Sequence, residues 1–268
     1  MQYSTNEKNH PSPSSASNPP INLSLADRQE ILYEGKAKII YKTGHQGILM
    51  QYFKDDITAG NGAKQSYIDG KGRLNSIISA KIMSGISTLN IAPTHFIGIV
   101  DDNYHIIKEV DIIPLEVIIR NRVAGSFAKR YGLAEGTELA QPIIEFCLKD
   151  DALSDPEIAE TAIIQLGILN NQELAQLKQY AKDINIFLKG LFFSASTELI
   201  DFKIEFGRRK SPSRDDSTII LADEISPDSC RIWDIETKEK LAKDVFRRDL
   251  GDVKTIYQKL AKRLNCNI

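Results

Sequence analysis

The sequence predicts an α+β fold of two lobes, a small antiparallel β-rich N-terminal lobe and a larger α/β C-terminal lobe with a cleft between them. Three observations carry that reading. Short β-branched and aromatic runs crowd residues 31–118, with one helical interruption. An apolar stripe at helical spacing fills residues 171–195. Between residues 199 and 223, two strands of alternating apolar and charged residues flank a polar loop, as in a hairpin.

Residues 1–27 are rich in Ser, Asn and Pro, and such a stretch buries too little apolar surface to fold, so it reads as a disordered extension. The N-terminal lobe is expected over residues 28–112. Residues 31–33 and 38–41 form a hairpin around Gly35-Lys36-Ala37, followed by strands at 48–53, 94–100 and 104–108. Leu74, Ile77, Ile78, Ile82 and Ile86 place a helix at 73–86. The C-terminal lobe, residues 113–268, begins with an apolar strand and then turns helical: 124–131, 171–195, 238–249 and 253–263, broken by the charged hairpin.

Bulk properties exclude several classes. The 268-residue chain has net charge -2 and pI near 6.1, which gives no electrostatic case for a nucleic-acid partner. No apolar run approaches the ~20 residues that span a bilayer, and the polar N-terminus lacks a signal-peptide core. Cys147, Cys230 and Cys266 are odd in number and far apart, as suits reduced thiols in the cytoplasm. His10, His45, His95 and His105 have no metal-ligand spacing.

Four segments carry chemistry. In 199–207, Ile200, Phe202, Ile204 and Phe206 point into a core, while Asp201, Lys203 and Glu205 form a charged row on the other face. A solvated strand face alternates in the same way. The difference lies in the next strand, which ends at Asp223-Glu224. A hairpin brings Glu205 and Asp223 together beside a lysine, an arrangement that asks for a cation. Magnesium carrying nucleotide phosphates suits it, since that ion takes one or two carboxylates plus phosphate oxygens. Gly35-Lys36-Ala37-Lys38 offers a close backbone approach and two lysines for phosphates. Taken alone, a surface turn with solvated lysines is favoured for it. No Walker A or G-x-G-x-x-G pattern exists.

The third segment runs from Ile112-Ile113-Pro114-Leu115-Glu116 to Arg120 and Ala124-Gly125-Ser126. There an apolar strand delivers arginines to a Gly-Ser helix start, which is an anion pocket. The fourth, from Asp223 to Trp233, adds Asp228 and Arg231 as another wall. Lys243 and Arg247 follow one turn apart, with cleft-facing and solvated readings about even. Gln165, Lys149 and Asp155 do not rise above ordinary surface polarity.

Together these segments resemble the SAICAR synthetase family of purine biosynthesis, from about Ile31 to the C-terminus. The resemblance implies an ATP-dependent ligase that joins L-aspartate to carboxyaminoimidazole ribonucleotide (CAIR), through an acyl phosphate, with release of ADP and phosphate. It implies ATP and Mg²⁺ as co-substrate and cofactor, with small molecules rather than nucleic acid or membrane as partners. Family members are often homodimers, though nothing in this sequence marks a self-complementary surface. Carried over residue by residue, Gly35, Lys36, Ala37 and Lys38 contact ATP phosphates. Lys108, Val110 and Ile112 lie around the adenine, and Glu205 and Asp223 hold Mg²⁺. Arg120, Ser126, Asp228, Arg231, Lys243 and Arg247 bind the ribonucleotide, with Asp201 and Lys203 at the reacting centre. Two departures stand out. Asn61 occupies a position where some members have aspartate, and residues 208–217 lengthen the hairpin loop into an expected surface excursion.

Two rivals remain at this level. A kinase-like phosphotransferase would suit the lobes, but His-Arg-Asp and Asp-Phe-Gly triplets are absent. A nucleotide-binding regulator without catalysis would be expected to lack a metal carboxylate or a phosphate arginine.

Overall fold

The computed structural model describes residues 23–60, 62–209 and 218–268. The chain runs β1 (Arg28–Glu34), β2 (Lys38–Thr43), β3 (Ile48–Phe53), β4 (Asp56–Ala59), β5 (Lys64–Tyr67) and α1 (Lys71–Thr88). It continues through β6 (Phe96–Asp101), β7 (Tyr104–Lys108), β8 (Val110–Arg122), α2 (Gly125–Tyr131), β9 (Glu138–Leu148), α3 (Glu160–Gln165) and α4 (Asn171–Ser194). It ends with β10 (Thr197–Arg209), β11 (Ile219–Ala222), β12 (Cys230–Asp234), α5 (Asp244–Arg248) and α6 (Val253–Arg263). One antiparallel sheet has the order β1-β2-β3-β7-β6. A second has β11-β10-β8-β9, with β12 also on β10.

The second sheet positions the site through one topological feature. β10 is paired with β8 from Asp201 to Arg209, but on its other side the partner changes. Thr197 to Phe202 pair with β12, and Glu205 to Arg208 pair with β11. In the interval between them the 223–229 segment reaches the sheet, where Lys203 N–H donates to the Ser229 carbonyl at 2.9 Å. The charged middle of β10 therefore meets a loop, not a third strand.

Packing follows from the apolar pattern. Leu199, Phe202, Ile204 and Phe206 join a core that also takes Leu74, Ile78, Ile82 and Ile86 of α1 and Leu177, Ile184 and Leu188 of α4. A capping box closes the start of α4: Asn170 Oδ1 accepts from Glu173 N–H, and Glu173 Oε2 from Asn170 N–H, both at 2.9 Å. Gly72 lies so close to β3 that a Cβ there would come within 2.3 Å of the Phe53 carbonyl oxygen.

Several expectations change. Ile200 leaves the face of Phe202 and packs with Ala124 and Trp233, because the ladder to β12 is irregular between Leu199 and Asp201. Residues 23–27, expected within the extension, are instead structured: Leu23 is buried and Ser24 caps a turn at Leu25–Asp27, after which β1 begins. Residues 1–22, Asn61 and residues 210–217 lie outside the described residues. The expected lobe boundary at 112 falls inside β8, since Val110 already pairs with Arg209. The helix expected over 238–249 shrinks to Asp244–Arg248. Its first residues instead fold back on β12, with Leu241 N–H on the Ile232 carbonyl at 2.8 Å. β9 and β12 were not anticipated as strands. Pro142 obscures the first, a position sheets tolerate only at edges such as β9.

Candidate active site

At the partner switch of β10, four carboxylates and three lysines meet. Lys203 donates to Glu116 at 2.7 Å and to Glu205 at 2.8 Å, and Lys149 pairs with the other Glu205 oxygen. Lys38 reaches across from β2 to Asp223 and lies 3.2 Å from Glu224. The register explains the convergence. Glu205 faces Glu116 on β8 and Ala222 on β11, and Asp223 then turns off the strand with a left-handed φ of 59°. Both lysines, 38 and 203, lie in the field of Glu205 and of Asp223.

Burial opposes charge on Lys38 and Lys203, but the surrounding carboxylates outweigh it and hold both above the usual lysine range. By the same balance, burial would raise Asp223, yet Lys38, Lys203 and Lys149 bring it well below the usual carboxylate range. Glu224 is 5% exposed, and its Oε2 has no hydrogen-bond partner among the described residues. A buried, unpaired carboxylate oxygen beside Asp223 is a site where a hard cation fits. Among the described residues no three His, Cys, Asp or Glu side chains form a closed cage. Glu205 and Asp223 could supply the one or two carboxylates that an ion sharing phosphate oxygens takes.

The arginines form an adjoining cluster. Asp201, 4% exposed, lies between Arg231, at 2.8 and 3.0 Å, and Arg120, at 3.3 Å. Arg120 also pairs with Glu145 and reaches Ser126 Oγ at 3.4 Å, while Arg231 pairs with Asp244 at 3.0 Å. Asp201, expected at the reacting centre, is thus engaged in anchoring two guanidiniums. Burial pushes its pKa up despite those partners. Gly125 has φ 58°, and a Cβ there would meet the Arg231 guanidinium at 2.3 Å, so glycine is what lets that fork lie flat against the backbone. Of this cluster, Gly125, Ser126, Arg231 and Asp244 line a cavity of about 590 Å³, together with Lys129, Arg247 and Arg248.

The remaining expected residues divide. Lys36 is exposed and bonds Asp151 at 2.6 Å, which joins the 35–38 turn to the C-terminal part of the chain. The amide of Gly35 closes that turn on the Lys38 carbonyl at 2.9 Å, and Ala37 accepts from Lys54 N–H at 2.8 Å. Lys108 is turned onto the Thr94 carbonyl at 3.0 Å, and burial lowers its pKa. Val110 packs on Gly207, and Ile112 is exposed. Asp228 is held by Lys71 and Tyr257, both at 2.7 Å. Lys243 caps α5, with burial lowering its pKa and Asp228 opposing that, and Arg247 bonds Asp244 at 2.7 Å. Sequence reasoning missed Glu116, Lys149 and Glu224. Each would have followed from knowing that β8 and the 223–229 segment flank β10 and that β9 lies beyond β8.

The family model for SAICAR synthetase matches residues 31–264. The phosphoribosylaminoimidazole-succinocarboxamide synthase of Jannaschia sp. is 50% identical over 237 residues, 88% of this chain and 92% of its own. That of Sinorhizobium fredii is 52% identical over 238 residues, 89% of this chain and 92% of its own. The crystal structure of the Ehrlichia chaffeensis enzyme of that name superposes with a TM-score of 0.86 at 45% identity, covering 89% of this chain and all of that one (100%). A SAICAR synthetase in complex with ADP superposes with a TM-score of 0.82 at 42% identity, covering 88% and 97%. The chain belongs to the SAICAR synthetase family, ligases of purine biosynthesis.

Proposed function

We propose that the protein condenses L-aspartate with CAIR, using ATP, to give the succinocarboxamide, ADP and phosphate. The observation that carries this reading is the junction at the middle of β10. There a lysine–carboxylate cluster suited to nucleotide phosphates adjoins an arginine-bordered cavity suited to a ribonucleotide. The complex of a 42%-identical relative with ADP supports nucleotide use.

A carboxylate is a poor electrophile. The CAIR carboxylate oxygen attacks the γ-phosphorus, the bond to the β-phosphate oxygen breaks, and ADP leaves. The aspartate amine then adds to the acyl carbon, loses a proton, and the C–O bond breaks to release phosphate. Such steps ask the protein chiefly for alignment and charge neutralisation. Lys36 and Lys38, on the turn of the 28–112 lobe, supply this to the ATP phosphates, with Gly35 and Ala37 giving close backbone approach. The 108–112 segment, with Lys108, Val110 and Ile112, borders the adenine. Glu205 and Asp223 are the residues that would hold Mg²⁺, which when bound offsets phosphate charge. Lys203 faces the reacting groups, and Asp201 keeps Arg120 and Arg231 aimed at the ribonucleotide together with Ser126, Asp228, Lys243 and Arg247. The 113–268 lobe thus carries substrate and metal. The three free cysteines agree with a reducing, cytoplasmic setting, and no described helix is long and apolar enough to cross a membrane.

ADP release from Mg-ATP, with CAIR and L-aspartate each supplied or withheld, tests the proposal. Release that needs both, with formation of the succinocarboxamide, is expected. Turnover with a different acceptor and no amide product would replace it with a phosphotransferase.

A further inference from the structure

Three buried polar side chains from distant parts of the chain meet beside this site. Lys71, in the first turn of α1, is 0% exposed and donates to Asp228 Oδ2 at 2.7 Å and to the Asp56 carbonyl oxygen at 2.8 Å. Tyr257, on α6 and also 0% exposed, donates its O–H to Asp228 Oδ1 at 2.7 Å. Each carboxylate oxygen is thereby fixed by one donor and keeps capacity for a second. The loop is fixed as well. Asp228 N–H donates to Ser226 Oγ at 3.1 Å, and Lys243 N–H donates to the Pro227 carbonyl at 3.1 Å, so the segment that carries Asp228 also sets the start of α5.

Stability alone does not account for this arrangement. Packed apolar side chains of similar volume commonly serve as well as a buried ion pair, whereas a carboxylate that must stay ionised and oriented needs such partners. Replacing Lys71 by an apolar residue would leave Asp228 charged and half-satisfied next to Lys243, whose own ionisation burial already disfavours.

We infer that Lys71 and Tyr257 are positioning residues for ribonucleotide recognition, acting through Asp228 so that the open side of its carboxylate faces the donor groups of the substrate, its ring amine or ribose hydroxyls. The inference rests on the assignment of Asp228 to the ribonucleotide. Its test is a cycle of Tyr257→Phe, Asp228→Asn and the double variant in the full chain, with the KM for each of the three substrates and the melting temperature measured. Tyr257→Phe keeps the core-filling ring. It should raise the KM for CAIR about tenfold, as for a lost hydrogen bond to a charged group, while those for ATP and aspartate stay within about twofold. Asp228→Asn should raise the same constant, and the double variant should be no worse than Asp228→Asn alone. Lys71→Arg should retain part of what Lys71→Met loses; if the methionine variant fails to fold, the tyrosine cycle decides. Additive effects, or equal effects on all three constants, would overturn the positioning role. An unchanged CAIR constant in Asp228→Asn would instead remove the assignment of Asp228 on which that role depends.

Discussion

Glu205 accepts from two lysines, one on each oxygen, and replacing it by glutamine keeps the shape but removes the negative charge and one of the two acceptors. Turnover of Glu205→Gln, and equally of Asp223→Asn, is expected to fall by about a hundredfold or more, the scale of losing a preorganised electrostatic contact. Far-UV circular dichroism should remain that of the parent protein. Near-normal turnover in either variant would remove that residue from the metal site. Arg231→Ala is a harsher change, because it leaves Asp201 and Asp244 buried beside a missing partner. It should raise the KM for CAIR far more than that for aspartate and lower stability by about 3–5 kcal/mol, measured by urea unfolding. An equal rise in both constants would argue against Arg231 as a phosphate ligand. At this scale, the placement of the charged β10 row and of the arginines beside the Gly-Ser turn was legible, because alternation along one strand and that turn are local signals. Lys149, Glu116 and Glu224 were not, since their meaning depends on which strand lies beside β10. Asp201 was expected at the reacting centre, whereas its engagement by two arginines is a cross-strand fact that spacing along one strand does not contain.

Helix α1 is held through its first two turns. Its first turn is pressed on β3 at Gly72, so Gly72→Ala should destabilise the protein by about 1–3 kcal/mol through overpacking. A variant as stable as the parent would refute the close approach. Along the same helix Ser76 meets His105 of β7, with ring nitrogen to Oγ 3.0 Å, and the ring lies between Phe53 and Phe96. Burial holds this histidine down from 6.5 to about 3. The folded state therefore keeps the ring neutral across a range where the unfolded chain protonates it. Stability is retained above pH 6.5 and declines as pH falls toward 3, by up to about 1.4 kcal/mol per pH unit. His105→Gln should flatten the acid limb of a plot of unfolding free energy against pH, and an unchanged slope would assign the acid sensitivity elsewhere. Long elements such as α1 and α4 were legible from their 3.6-residue stripe. The 238–249 helix was misread because Lys238 takes a left-handed φ of 58° and the chain doubles back to pair with β12, a tertiary preference that helical propensity does not report.

Across the whole molecule, the 35–38 turn is tied to the C-terminal part at two levels. One tie is the buried contact of Lys38 with Asp223, and the other is the exposed contact of Lys36 with Asp151. The exposed pair should contribute at most about 1 kcal/mol. Lys36→Ala and Asp151→Ala are therefore expected to match the parent closely in melting temperature. Only Lys36→Ala should raise the KM for ATP, because phosphate takes over the ammonium that Asp151 holds. If Asp151→Ala raised that constant as much, the contact between the lobes would matter more than the phosphate. The two-lobed organisation was legible from composition, but the boundary at 112 was not, because β8 begins in the sheet before the sequence changes character.

The apolar core of the second sheet reaches the first through Phe96 of β6, which packs against it. Ile57 and the inward face of α1 share one packed body with β10, α4 and α6, and residues 93–95 hydrogen-bond directly to Leu221. Helix α1, which packs on β3, β6 and β7 as well as on α4 and α6, ties the two described halves together. Denaturation should be a single event, with the same midpoint whether followed by the lone Trp233 or by backbone ellipticity. Saturating nucleotide should shift that midpoint for both probes alike, so that occupancy at the turn near the N-terminus is felt as extra persistence at the far C-terminal helix.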